Sequence, residues 1–135
     1  MDLNEFKELL NRDDRFCRYN NIRLDVLRTG YAEAVMELTE NTMNGLGIAQ
    51  GGSIFTLADL AFAGAGNSYG FRMVGLNSSI SFIRPGVGKL LRAKATQVSR
   101  GRRTCVYSVE VFNDDGKIVA HGTFTGFITE EKFPL

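Results

Sequence analysis

Residues 53–67 read Ser-Ile-Phe-Thr-Leu-Ala-Asp-Leu-Ala-Phe-Ala-Gly-Ala-Gly-Asn, and the rest of the chain must be arranged around them. The run is rich in Ala and Leu, the strongest helix formers, and predicts a central helix over about residues 52–68. Its apolar residues Ile54, Phe55, Leu57, Ala58, Leu60, Ala61, Phe62 and Ala63 pass almost all the way round such a helix. A helix with so little polar face is buried on most sides. Gly64, Gly66 and Asn67 mark where it frays and stops.

Outward from this helix the period changes to two. Upstream, Ile22, Leu24 and Val26 alternate with Arg23 and Asp25, and a second strand, Tyr31 to Leu38, follows Thr29-Gly30. Before them, Leu3, Phe6, Leu9 and Leu10 have helical spacing and predict a short amphipathic helix over about residues 2–11. Downstream, the segments Met73–Ile83, Lys89–Ser99, Thr104–Phe112 and Lys117–Ile128 read as four strands in a meander. Pro85-Gly86, Arg100-Gly101-Arg102-Arg103 and Asn113-Asp114-Asp115-Gly116 are their turns. No repeat or linker interrupts the chain, so residues 1–135 form one domain. The class is α+β: a curved antiparallel sheet wraps the single long helix, because nothing else can cover its apolar circumference. One sheet leaves part of that helix open, and a second copy is expected to close it.

Composition agrees with a globular domain. The chain is 44% hydrophobic and 23% charged, with a net charge of +1, so no whole-molecule field points to nucleic acid. Its apolar runs are short and broken by glycine or charge, which argues against a membrane span. The N-terminus lacks the basic start and apolar core of a secretory signal. Cys17 and Cys105 have neither metal nor redox spacing and are expected as reduced thiols of a cytoplasmic protein. With two cysteines and one histidine, no metal site is expected.

Asp59 is the anomaly, a carboxylate in the middle of an apolar helix. Burying a charge is unfavourable by several kcal/mol unless it is paired or put to use. Two readings stand: Asp59 meets an arginine, caps a backbone group or reaches solvent at an edge, or burial raises its pKa for base or nucleophile work. Ser53 and Thr56 precede it at three-residue intervals and share its face. Gly51-Gly52, at the helix start, offers backbone N–H groups without internal partners and lets a substrate approach closely. That suits an oxyanion hole, although an ordinary turn pair would look the same. Asp59 stands eight residues beyond Gly51, about 12 Å along one helix, so one chain cannot bring both to one carbonyl carbon. Antiparallel helices from two subunits can. Gly45-Leu46-Gly47 lacks the spacing and the βαβ setting of a dinucleotide loop. The sole histidine, His121, falls in the last strand and reads as structural or solvent-facing.

The stretch from Asn44-Gly45 through Gln50-Gly51-Gly52 to Leu57-Ala58-Asp59 and Ala63 resembles the PaaI-like hotdog thioesterases of phenylacetate degradation. Their pattern runs Asn-Gly, His-Gly-Gly, Leu-Ala-Asp and a small-residue helix. The likeness continues through Ile80-Ser81-Phe82-Ile83-Arg84-Pro85-Gly86, Gly101-Arg102 and Val119-Ala120 to Gly122, covering roughly residues 20–128. It implies the hotdog fold, hydrolysis of acyl- or aryl-CoA with CoA as part of the substrate and no separate cofactor, and a homo-oligomer, either a homodimer or a dimer of dimers (homotetramer). It implies that Asp59 is the catalytic carboxylate, acting through water or directly. Gly51 would be the oxyanion donor, and Asn44 would orient groups across the interface. Gln50 departs from the family histidine; its amide can donate a hydrogen bond but cannot titrate. Leu46 replaces another frequent histidine. Coenzyme A carries phosphates, for which Arg84, Arg100, Arg102 and Arg103 at strand ends and turns are candidates. Gly52 and Phe82, with Phe55 and Phe62, are candidates for contact with the rest of the substrate. Rival functions are an acyl-CoA-binding hotdog module without turnover and, last, a dehydratase or hydratase, for which no histidine lies near the helix.

Overall fold

The central apolar run forms α3, Gly51–Asn67, in a computed structural model that describes all 135 residues. Leu57 and Phe62 on this helix are fully buried, and each such side chain stabilises the fold by about 1.5–3 kcal/mol. Around α3 curves one sheet of six strands: β1 Ile22–Arg28, β2 Tyr31–Glu37, β3 Phe71–Phe82, β4 Leu90–Arg100, β5 Thr104–Phe112 and β6 Ile118–Lys132. Every pairing is antiparallel. No helix is long and apolar enough to cross a membrane.

The strand order, β1-β2-β4-β5-β6-β3, corrects the expected meander. β3 does not pair with β4; it lies at the far edge beside β6, with Ile80 opposite Gly122. Pro85-Gly86 has the local chemistry of a hairpin turn, but the chain here passes the start of α3 instead. Ile83 and Arg84 both donate to the Val119 carbonyl, and the Gly86 carbonyl accepts from Ala49. Strand partners are chosen by such distant contacts, which no turn dipeptide reports.

Gly64 and Gly66 are also corrected. They lie inside α3 rather than at a frayed end, and both are buried. A Cβ on Gly64 would sit 2.8 Å from Leu24 Cδ2, and one on Gly66 would sit 2.3 Å from Met73 Sδ. They are small so that strands can lie close to the helix.

The N-terminal segment gives two helices, α1 Leu3–Asp13 and α2 Arg15–Tyr19, where one was expected. Asp2 and Asp14 cap them, each accepting backbone N–H groups of the first turn. The break at Asp14 lets α1 lie along the edge strand β1. There Asn11 donates to the Leu24 carbonyl at 3.0 Å and accepts from the Leu24 N–H at 2.7 Å. Lys7 donates to the Asp25 carbonyl at 3.2 Å. The two edges of the sheet therefore differ. β1 has Leu24 and Asp25 backbone groups bonded by a helix, whereas β3 has β6 on one side and no element on the other. Val74, Leu76 and Phe82 are exposed along it.

Candidate active site

The loop leading into α3 is held by its own polar groups. Thr39 caps a 3₁₀ turn at Glu40–Thr42. Asn44 Oδ1 accepts from Leu46 N–H at 2.9 Å and Ile48 N–H at 3.4 Å, closing a turn in which Gly47 takes φ +75°. The Gln50 N–H donates to the Thr42 carbonyl at 2.8 Å, and the Ser53 hydroxyl donates to the carbonyls of Thr42 and Gln50. These bonds fix where α3 begins. In front of its first turn lies a cavity of about 310 Å³, lined by Asn44, Ile48, Gly51, Phe82, Arg84 and Gly86 among others. The Phe82 ring comes within 3.4 Å of the place a Cβ on Gly51 would take. The Gly51 N–H is not vacant: it donates to Oε1 of Gln50 at 2.9 Å. Gln50 thus accepts where the sequence suggested a donor.

Of the three structural roles open to it, Asp59 takes the last, reaching solvent at an edge. It forms no ion pair with an arginine and caps no backbone group. Its side chain reaches solvent on the open flank of α3. The protein crowding that flank still raises its pKa, by burial first and by the negative charge of Asp14 second. Asp14 is a neighbour the sequence did not reveal. The Asp13-Asp14 pair just before Arg15-Phe16-Cys17 was the available signal, that of an N-cap. Cys17, on the same side, has its thiol pushed up to about 12, by burial first and then by Asp14, with Asp59 adding to it. It is not a thiolate near neutral pH.

One chain brings together Asn44, Gln50, Gly51, Phe82 and Arg84, with Gly52 exposed beside them. It keeps Asp59 about 12 Å along the helix from Gly51, outside that cavity. The four arginines do not share a cleft mouth within one chain. Arg84 precedes β4, while Arg100, Arg102 and Arg103 lie at its other end, roughly 30 Å of strand away. There they line a second cavity of about 480 Å³ with Tyr69, Phe71 and Thr129. Arg100 stacks 3.8 Å over the Tyr69 ring and donates to the Gly66 carbonyl at 3.2 Å, neutralising the C-terminal end of α3. Arg84 donates to the Ile118 carbonyl at 2.7 Å. Arg102 and Arg103 are exposed and form no ion pair. Phe62 is core and Phe55 packs on Phe124 at 5.6 Å, so of the three phenylalanines only Phe82 faces the cavity. His121 is exposed on β6 opposite Glu110.

Residues 46–120 match the family model of the thioesterase superfamily. The chain belongs to that superfamily. A putative esterase of Archaeoglobus fulgidus is 33% identical over 129 residues, 95% of this chain and 84% of the relative. The acyl-coenzyme A thioesterase PaaI of Escherichia coli is 41% identical over 92 residues, 67% of this chain and 66% of its own length. A solved structure of E. coli PaaI, from the phenylacetic acid degradation operon, superposes with a TM-score of 0.91 at 30% identity, covering 96% of this chain and 95% of that one. A Streptococcus mutans protein bound to acetyl-CoA superposes at 0.79 with 34% identity, covering 85% and 94%. The fold of this thioesterase-superfamily chain is the expected hotdog, a curved antiparallel sheet around α3.

Proposed function

We propose that this chain hydrolyses acyl-CoA thioesters to a free acid and CoA, with Asp59 of one subunit acting beside Gly51 of another. One observation carries the reading. Asp59 is a carboxylate without cation or donor, its pKa raised, on the helix whose first amide opens into a cavity. A relative named acyl-coenzyme A thioesterase and a structural neighbour bound to acetyl-CoA support the substrate class.

The uncovered edge of β3 supports the second subunit. Its 12 residues offer about 40 Å of backbone to an identical strand. Twofold pairing about the middle of β3 sets the Phe71 end of each copy beside the Phe82 end of the other. The Gly51 cavity of one subunit then adjoins the cavity holding Arg102 and Arg103 of its partner, and the arginines separated within one chain converge on one ligand. Arg102 and Arg103, free of ion pairs, are the better candidates for the CoA phosphates. The two buried free thiols suit the reducing cytoplasm.

In the reaction, Asp59 takes a proton from water, and the water oxygen adds to the thioester carbonyl carbon. The charge that builds on the carbonyl oxygen is stabilised by the Gly51 N–H. The carbon–sulfur bond breaks, and the thiolate leaves with the proton Asp59 had taken. Direct attack by the carboxylate gives a mixed anhydride that water opens to the same products. A raised pKa makes Asp59 a stronger base.

The bond from Gly51 to Gln50 favours a second reading, acyl-CoA binding without turnover, since the oxyanion donor is already engaged. Thiol release from a panel of acyl-CoAs separates the two. Turnover that falls by about 10²- to 10⁴-fold in Asp59→Asn, with the oligomer intact, is expected for hydrolysis. Tight CoA binding with no thiol released from any substrate would leave only the binding module.

A further inference from the structure

We propose that the Gln50 side chain is a built-in competitor of the substrate, its amide oxygen holding on Gly51 N–H the place that a thioester carbonyl oxygen must take. The inference rests on the reading of Gly51 as oxyanion donor. As the first residue of α3, Gly51 presents an N–H with no intrahelical partner at the positive end of the macrodipole. Side chains that cap a helix usually reach the second or third amide. Gln50, one methylene longer than Asn, folds back instead to the first, at 2.9 Å.

The backbone of Gln50 is fixed. Its N–H donates to Thr42, and its carbonyl accepts from the N–H groups of Ser53 and Ile54 and from the Ser53 hydroxyl. Only the side chain can move. It is exposed, and the bond to Gly51 is its sole side-chain hydrogen bond. An amide oxygen and a thioester oxygen are both planar carbonyl acceptors, and the Phe82 ring lies 3.4 Å from where a Cβ on Gly51 would stand, on the cavity side of the residue. One N–H has a single proton to give and holds one of them at a time. Rotating Gln50 away breaks one neutral hydrogen bond, so the resting chain binds carbonyl ligands more weakly than the bare amide would.

The competition is specific for a carbonyl, and that makes it testable. Two CoA derivatives that are not turned over serve as probes: a dethia-acyl-CoA, in which CH₂ replaces sulfur and the ketone stays in place, and S-propyl-CoA, which has no carbonyl. Binding of each is measured by calorimetry for the native chain, Gln50→Ala and Gln50→Met. Losing a neutral hydrogen bond of ordinary strength corresponds to a gain of about 2- to 10-fold. Both variants should bind the dethia ketone tighter by that factor and S-propyl-CoA as before, and the Gly51 amide proton should exchange with solvent faster in both. Ketone binding that is unchanged, weaker or absent in the variants overturns the proposal, as does a Gly51 amide that exchanges no faster. Native turnover of acyl-CoA, measured alongside, reports on the hydrolase reading by itself: its absence sinks that reading, while the ketone gain still tests Gln50.

Discussion

Asp59, as the proposed base, would trade stability for chemistry. Its pKa is raised in the folded chain, so ionising it is less favourable there than in the unfolded chain. Its favourable contribution is complete below the ordinary aspartate pKa and is lost as pH rises through the folded value. Asp59→Asn cannot ionise, and is expected to melt at a higher temperature than the native chain near neutral pH. That gap should close below about pH 4, where both side chains are neutral. Thermal unfolding across a pH series measures this, and a variant less stable at neutral pH would mean that the carboxylate is paired in solution. The same shift puts the acid limb of kcat/KM above the ordinary aspartate range. Asp59 was legible in the sequence because a charge inside an apolar helical run is rare. Gln50 was legible only as a substitution. Whether its amide donates or accepts depends on which backbone group stands within reach, and no residue spacing reports that.

Among the elements, α3 and the strand limits could be read from periodicity, because hydrophobic pattern and turn chemistry are local. The place of β3 could not. It depends on Gly122, whose missing side chain lets β6 lie against β3: a Cβ there would stand 2.3 Å from the Ser79 carbonyl oxygen and 3.1 Å from Ile80 Cα. Both are backbone atoms of a paired strand and cannot rotate away. Gly122→Ala should therefore prise β3 from β6 and destabilise the chain by about 1–3 kcal/mol, the usual consequence of overpacking. Chemical denaturation reads the loss, and a variant as stable as the native chain would show that β3 sits elsewhere in solution. The second helix escaped the sequence reading for a similar reason. Asp14 ends one helix and caps the next, and only the fold reveals that its charge then faces Asp59.

At the scale of the whole molecule, the proposed active site divides between two copies, and mixing can test the division. Asp59→Asn lacks the base, and Gly51→Val blocks the cavity in front of the amide. Each alone is expected to be inactive. Co-refolded in equal amounts, they give hybrids with one complete site and one doubly damaged site. With random pairing, half the dimers are hybrids, so activity should return to about a quarter of the native level. Mixtures that stay inactive, although hybrids are detected by mass, would place base and amide in the same chain. The arginines were legible as candidate phosphate ligands one at a time. That they fall at opposite ends of β4 was not, because strand direction decides it.

The unequal edges of the sheet have one more consequence. A sheet with two unsatisfied edges is a template at both ends, and identical chains can add to it without limit. Here Asn11 and Lys7 already bond the Leu24 and Asp25 backbone of β1, which hinders growth on that flank. Pairing through β3, as proposed, would use up the open flank of each molecule, and the assembly would end there as a closed particle rather than a fibril.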